Sequence, residues 1–82
     1  MNVNILFFAT LRSLVGQKSL EMELPPDCRV SDLKLMVADR FPQVAPTLGE
    51  TVLVSVNREF AFDDQVIPDG AEIALFPPVS GG

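Results

Sequence analysis

A single helical segment flanked on both sides by alternating segments is the feature that most constrains the fold of this chain. Apolar residues recur at helical spacing from Leu33 to Phe41, and Pro42 ends the run because its ring cannot continue a helix. Ser31, just before the run, is a favourable N-cap residue. In the flanking segments, apolar and polar residues alternate with the period of two that is typical of β-strands. This order suits a sheet that is covered by one main helix.

Two strands are predicted before the helix. The first spans Val3 to Phe8, and in the second Leu20, Met22 and Leu24 alternate with polar residues until Pro25 stops the strand. Between these strands we expect a short turn of helix over 11–15, closed by a glycine at position 16. The two strands should pair antiparallel.

Three further strands are predicted after the helix. Each is short and bounded by turn-forming residues, among which Pro68-Asp69-Gly70 is the strongest signal. The predicted elements are a loop over 43–50, strands over 52–56, near Phe60 and over 72–76, and a turn at Asn57-Arg58.

The resulting order is strand, strand, helix, strand, strand, strand. It predicts an α+β architecture in which a mixed sheet wraps over one main helix, the β-grasp or ubiquitin-like fold. Eighty-two residues leave room for one such domain. We place this domain over 1–76, followed by a projecting tail over 77–82.

The alternation also predicts which side chains face the helix. If Ile5 and Phe7 point inward, Leu6 and Phe8 must point to the opposite face of the sheet. One helix covers only one face, so apolar side chains on the other face would form an exposed patch of the kind that marks partner interfaces. The inward set also includes Val54, Val56, Ile73 and Leu75, and the outward set Leu53, Phe60, Ala74 and Phe76.

Composition excludes several classes of function. The net charge of −5 has the wrong sign for binding nucleic acid backbones. The chain has no histidine and a single cysteine, which excludes Ser-His and Cys-His catalytic pairs, most zinc sites and the four thiolates of a β-grasp ferredoxin cluster. We find no apolar run of membrane-spanning length and no signal peptide, and we therefore expect a cytoplasmic protein without a membrane partner.

The C-terminal sequence, from Phe76 to Gly82, is the most informative stretch. Two prolines at 77 and 78 oppose further strand pairing, so the last six residues should extend up to ~20 Å from the sheet, at about 3.3 Å per residue. Gly81 and Gly82 carry no side chains, so they could enter a channel too narrow for a Cβ. Taken alone, the pair could equally be a frayed end.

The terminal carboxylate needs activation before it can take part in acyl transfer. An α-carboxyl group is ionised at neutral pH and is a poor electrophile. Conversion to an acyl adenylate by ATP is the usual solution, yet the sequence has no Walker-type phosphate loop. An activating enzyme must therefore supply this step.

Three stretches of the sequence resemble one family. The resemblance covers essentially the whole chain. They are Phe7-Phe8-Ala9-Thr10-Leu11-Arg12, Val56-Asn57-Arg58 ahead of Pro68-Asp69-Gly70-Ala71-Glu72-Ile73, and Phe76-Pro77-Pro78-Val79-Ser80-Gly81-Gly82. In these stretches the chain is similar to the small, sulfur-carrier subunits of molybdopterin synthase, the MoaD/ThiS family. The thiamine-biosynthesis sulfur carrier and ubiquitin-like modifiers share the Gly-Gly end.

The resemblance implies a mechanism. A ubiquitin-activating-like enzyme would adenylate the terminal glycine with ATP and magnesium, and a persulfide donor would then convert it to a thiocarboxylate. The large synthase subunit would accept the tail, and two sulfurs would turn cyclic pyranopterin monophosphate into molybdopterin in a heterotetramer. No cofactor is expected on this chain. By the resemblance Gly82 carries sulfur, Gly81 gives clearance, and the partner-binding residues are Phe8, Arg12, Phe60, Phe76, Pro77, Val79 and Ser80.

The remaining candidates have simpler interpretations. Cys28 lies in a turn far in sequence from the tail. This position favours a structural or incidental thiol over a sulfur relay. Asp63 and Asp64, with no histidine, lysine or apolar pocket evident nearby, are typical of turn formers rather than an acid/base pair. Arg12 could pair with a partner carboxylate or simply be solvated. Three other functions stay open: a protein modifier joined through Gly82 to lysine amines, a thiamine-pathway sulfur carrier, and a passive ubiquitin-like binding module.

Overall fold

The computed structural model describes residues 1–48 and 52–77. Within these ranges, five strands form one sheet in the order β2-β1-β5-β3-β4. The same described residues contain three α-helices and one 3₁₀ helix that connect the strands. The elements are β1 (Asn2–Phe7), α1 (Ala9–Val15), β2 (Ser19–Glu23), α2 (Val30–Arg40), the 3₁₀ helix (Pro42–Val44), α3 (Ala45–Leu48), β3 (Leu53–Val56), β4 (Glu59–Ala61) and β5 (Glu72–Phe76).

The sheet is mixed, as the sequence predicts. β1 runs parallel to β5 and antiparallel to β2, while β3 pairs antiparallel with both β5 and β4. The parallel pairing of β1 with β5 requires a long connection between them, and α2 lies within it. The β-grasp architecture predicted from the element order is therefore confirmed. No helix within 1–48 and 52–77 has the length and apolar character needed to cross a bilayer.

The core lies between the helices and one face of the sheet. Ile5 and Phe7 of β1 are 0% and 1% exposed, and on α2 Leu33 and Val37 are fully buried. The predicted inward parity of β1 is therefore correct, and it extends to Val54, Ile73 and Leu75 on the neighbouring strands. Burial of this apolar set is the main favourable term in folding, at about 25 cal/mol for each Å² removed from water.

The main helix begins earlier than the sequence predicts. Ser31 is not its N-cap: α2 starts at Val30, and Arg29 precedes it with an extended backbone. The amides of Val30 and Ser31 donate to the main-chain oxygens of Gln65 and Asp63, at 3.0 and 2.9 Å. These acceptors satisfy two of the free N–H groups of the first turn, so a side-chain cap at Ser31 is not needed for them. The Asp32 carboxylate instead accepts from the Arg29 amide at 3.0 Å.

The segment predicted as a loop over 43–50 is largely helical where the structure describes it. Pro42 begins the 3₁₀ helix, and α3 follows at once. Val44 is fully buried and Leu48 is 7% exposed, so tertiary packing stabilises these turns although Pro46 suggests a loop. Residues 49 and 50 lie outside the described ranges.

The turn between β3 and β4 has an unusual backbone. Asn57 and Arg58 form a two-residue loop with φ angles of 51° and 70°. Left-handed conformations of this kind cost a residue with a Cβ roughly 1–2 kcal/mol, and glycine avoids that cost. Asn57 makes two hydrogen bonds with Glu72 at the start of β5. Its amide donates to the main-chain oxygen of Glu72 at 2.8 Å, and its Oδ1 accepts from the Glu72 amide at 2.9 Å. The predicted turn at Asn57-Arg58 is confirmed.

Candidate docking face and C-terminal tail

The face of the sheet away from α2 carries a cluster of three aromatic rings. The rings of Phe8 and Phe76 stack with centroids 4.7 Å apart and planes inclined by 15°, and Phe60 lies 6.3 Å from Phe76. They meet because β1 and β3 both flank β5, while β4 pairs with β3. Phe60 is 72% exposed, and Phe8 and Phe76 are half-buried. The outward parity predicted for these three residues is therefore correct.

A shallow groove of about 280 Å³ runs along this outer face. Stacked aromatic rings form one end, where β5 finishes at Phe76. At the other end, β5 begins at Glu72, beside the turn that carries Arg58. The groove therefore combines an apolar floor with one charged end. Its lining residues are Leu6, Phe8, Ser55, Arg58, Phe60, Glu72, Ala74 and Phe76.

The tail starts directly from the aromatic end of this groove. Phe76 is the last residue of β5, and the half-buried Pro77 is the last residue that the structure describes. A partner that covers the rings would therefore also be next to the start of the tail. The predicted tail residues Val79, Ser80, Gly81 and Gly82 lie outside the described residues.

Arg12 occupies a different position from the other predicted partner-binding residues. It lies on α1, is exposed, and its Nε donates a long hydrogen bond of 3.4 Å to the Phe7 oxygen. It does not line the groove. The structure thus joins Phe8, Phe60 and Phe76 in one patch and leaves Arg12 to the side of it.

Sequence reasoning missed a further exposed aromatic residue, Phe62. It is 78% exposed and lies two residues beyond Phe60, so the period of a strand could have placed it on the same face. Together with Leu53 it borders a second depression of about 540 Å³ beside β4. The residues lining this depression are Lys34, Val52, Leu53, Val54, Phe60, Ala61, Phe62 and Asp63.

The expectation that no lysine or apolar pocket lies near Asp63 is wrong. Lys34 of α2 places its Nζ 2.7 Å from Asp63 Oδ1, at the edge of this second depression. The two residues are 29 positions apart, so local sequence gave no sign of the contact. The turn itself is structural: the Asp63 oxygen accepts from the Ser31 amide, and the Asp64 oxygen accepts from the Arg29 guanidinium.

Cys28 is part of the core. Its side chain is 2% exposed and joins the buried cluster behind the sheet. Burial raises the pKa of the Cys28 thiol above its ordinary value, and the negative charge of Asp32 raises this pKa further. A neutral, buried thiol is a poor nucleophile, which supports the structural interpretation. In residues 1–48 and 52–77, no three potential ligating side chains of His, Cys, Asp or Glu come together as a metal site.

In the described residues, a mixed sheet in the order β2-β1-β5-β3-β4, with β1 parallel to β5 and α2 packed on one face, defines a ubiquitin-like protein of the β-grasp class. The sequence profile of the ThiS family matches residues 5–82, and the chain therefore belongs to that family. The family assignment made from the sequence motifs is thus confirmed.

Individual relatives agree with this assignment. The chain is 40% identical over 81 residues to the molybdopterin synthase sulfur carrier subunit of Dictyostelium discoideum, covering 95% of this chain and 93% of that protein. It is 34% identical over 92 residues to small archaeal modifier protein 3 of Haloferax volcanii, covering 100% of both chains. The crystal structure of SAMP1 from Haloferax volcanii superimposes with a TM-score of 0.86 at 28% identity, covering 100% of both chains. The match to the Dictyostelium discoideum subunit supports the role of a molybdopterin synthase sulfur carrier subunit.

Proposed function

We propose that this chain is the sulfur-donating small subunit of a molybdopterin synthase and that the sulfur is carried on Gly82. The observation that carries the proposal is the position of the aromatic patch: Phe76 belongs both to the patch and to the last strand before the tail. A partner bound on the patch therefore receives the tail at a fixed starting point. Family membership supports sulfur as the group that is carried.

The aromatic patch and the outer groove together form the docking face, and a partner bound there would determine where the tail enters. Five residues follow Pro77, and at about 3.3 Å per residue they reach at most ~17 Å. Over that distance Gly82 could reach into a pocket of a protein that is bound on the patch. Gly81 would provide the clearance for Gly82 to enter a narrow channel.

The chemistry would begin on an adenylating enzyme that supplies ATP and magnesium. A terminal carboxylate oxygen attacks the α-phosphorus of ATP and displaces pyrophosphate, giving an acyl adenylate. A sulfur nucleophile from a persulfide then attacks the activated carbonyl carbon and AMP leaves, which yields the thiocarboxylate after the sulfur–sulfur bond is reduced by a thiol. This chain contributes the carbonyl carbon and the docking surface, and its own side chains take no proton.

The large synthase subunit would then receive the loaded tail. Two sulfurs, one from each of two tails, would convert cyclic pyranopterin monophosphate into the dithiolene of molybdopterin, in a heterotetramer of two small and two large subunits. The same aromatic patch would bind the adenylating enzyme and the large subunit in turn. Each partner has to leave before the other can bind.

Intact-mass measurement tests the proposal. The purified chain, with Cys28→Ser to avoid confusion with oxidation, is incubated with ATP, magnesium, the adenylating enzyme and a sulfur donor. We expect one oxygen to be replaced by one sulfur at the C-terminal glycine. The matched control lacks Gly82 and should gain no sulfur while its unfolding temperature stays unchanged. An unchanged mass in the full chain, or sulfur gained by the truncated chain, would contradict the proposal.

A protein modifier is the second candidate, and one observation favours it. The match to small archaeal modifier protein 3 covers the whole of both chains. A modifier would form an isopeptide bond between the Gly82 carbonyl and a lysine amine of a target. Isopeptide-linked adducts in the same reaction, without thiocarboxylate, would favour this second function.

A further inference from the structure

Arg58 occupies a backbone position that favours a different residue. It is the second residue of a two-residue turn between antiparallel strands, with a φ angle of 70°. Turns with positive φ at both central positions strongly prefer Asn-Gly, because glycine adopts this conformation without a steric cost. Asn57 matches the preference and Arg58 does not.

Within residues 1–48 and 52–77, few contacts offset this strain. The side chain of Asn57 has a clear structural use, since its Oδ1 accepts from the Glu72 amide at 2.9 Å. Arg58, in contrast, is 89% exposed, and its Nε approaches Glu72 Oε1 only to 3.9 Å. A long contact between exposed charges contributes almost nothing to stability. The Arg58 side chain is therefore better explained by an interaction outside its own domain.

The position of Arg58 indicates what that interaction involves. The residue lines the outer groove at its charged end, while Phe8 and Phe76 form the aromatic end where the tail begins. A partner that receives the tail and covers the rings would also extend over Arg58, because all three residues border one groove. Binding would remove the guanidinium from water and strengthen its pairing with an acceptor.

We infer that Arg58 is a specificity-determining residue of this docking face, and that it pairs with a carboxylate of the large synthase subunit beside an apolar side chain seated in the groove. The inference rests on the proposed function and names the contact by which that partner is recognised. A guanidinium presents a planar set of donors that fits a carboxylate in two parallel hydrogen bonds. On a chain of net charge −5, such a local cation would attract an acidic group that the rest of the surface repels.

Comparison of Arg58→Gly with the wild-type chain tests this inference. Affinity for the purified large subunit is measured by titration calorimetry with the unloaded carboxylate form, so that the result does not depend on sulfur loading. We expect the dissociation constant of Arg58→Gly to rise about tenfold. Its unfolding temperature should stay equal to that of the wild type or rise, by up to about 8 °C, because glycine relieves the strained turn. A residue that only held the turn would give the opposite change in stability.

Two matched variants separate the local contact from general charge. Arg58→Lys keeps the charge but not the planar donor set, and it should retain part of the affinity. Lys18→Ala removes one positive charge outside the groove, from an exposed residue between α1 and β2, and it should bind as tightly as the wild type. Higher salt should narrow the difference between wild type and Arg58→Gly.

The possible outcomes are distinct. Wild-type affinity in Arg58→Gly, a lower unfolding temperature in that variant, or an equal loss in Lys18→Ala would overturn the role of Arg58 and leave the proposed function standing. A wild-type chain that does not bind the large subunit at all would overturn both. Weaker binding of Arg58→Gly with undiminished stability, together with an unaffected Lys18→Ala, would support the inference.

Discussion

Phe7 and Phe8 are adjacent in sequence and identical in chemistry, yet they belong to different parts of the molecule. Phe7 is 1% exposed and packs edge-to-face on Phe41, with ring centroids 6.1 Å apart. Phe8 points to the other face, is half-buried, and stacks on Phe76 at 4.7 Å. A shift of one residue along a strand thus separates a side chain that stabilises the fold from one that is available to a partner.

The comparison extends to the two faces as a whole. On the inner face, Ile5, Ile73 and Leu75 are fully buried. On the outer face, Leu53 is 42% exposed and Phe60 is 72% exposed, although both residues are as apolar as those inside. Hydrophobicity alone therefore does not identify the core of this protein. The hydrophobic fraction of 48% supplies two apolar surfaces, and the helices cover only one of them.

The largest effect on stability is expected from Phe7→Ala. Removing a buried aromatic ring and leaving a cavity costs about 3–5 kcal/mol, a large part of the roughly 5–15 kcal/mol available to a small domain. Chemical denaturation followed by circular dichroism measures the loss. A decrease below about 1 kcal/mol would show that Phe7 is not a core residue and would break the comparison.

The matched change on the other face, Phe8→Ala, should have the reverse profile. Its ring is already partly in water, so we expect unfolding to change by less than about 1 kcal/mol. Affinity for the large synthase subunit should fall about 30-fold, which corresponds to about 2 kcal/mol, the cost of truncating an aromatic residue that anchors an interface. Equal losses of stability in the two alanine variants would show that the faces do not differ as described.

A smaller effect is expected at Cys28, on the core side. Cys28→Ala should cost about 1 kcal/mol through lost packing and should leave sulfur loading of the tail unchanged. Because the pKa of the folded thiol is raised, the neutral thiol stabilises the fold below the ordinary thiol value of 9.0, and this contribution is lost as pH rises above it.

The wild-type chain should therefore lose stability relative to Cys28→Ala at alkaline pH. Denaturation curves of both chains between neutral and alkaline pH measure the difference. A gap between the two chains that stays constant with pH would show that the thiol does not titrate differently in the folded state.

The smallest effect is expected where α2 meets the end of β4, at the ion pair of Lys34 with Asp63. Asp63→Asn keeps the main-chain oxygen that accepts from Ser31 and removes only the charge. Since Asp63 is 65% exposed, the loss should be less than about 1 kcal/mol and should vanish at high salt. Thermal unfolding at two salt concentrations measures it. A loss as large as that of Phe7→Ala would mean that this edge stabilises the fold as much as the core does.

The sheet and its two faces could be predicted because both depend on a local signal. Alternation along β1 places Phe7 and Phe8 on opposite faces whatever the neighbouring strands do, and Pro25 and Pro42 mark boundaries through their own chemistry. The turn at Asn57-Arg58 was visible for the same reason. Its strained geometry was not, because an arginine gives no sign of a positive φ angle.

The features that could not be predicted depend on residues distant in sequence. The start of α2 is set by hydrogen bonds from its first amides to the main-chain oxygens of Asp63 and Gln65. These acceptors lie more than thirty positions further along the chain than the donors. The short helix α3 is stabilised by the burial of Leu48 rather than by helix propensity. At the docking face, the groove could be anticipated from parity, but the position of Arg58 at its charged end required the register of β3 with β5.

The parallel pairing of β1 with β5 allows a partner to distinguish folded from unfolded copies of the chain. Phe8 and Phe76 approach each other only when the first and last strands lie side by side, so the groove does not exist in an unfolded or partly folded chain. A partner that recognises the stacked rings would therefore not bind an unfolded copy of the chain. Binding also shifts the folding equilibrium toward the intact domain by mass action. If that partner also receives the tail, as proposed, the terminal glycine would reach it only on a folded chain.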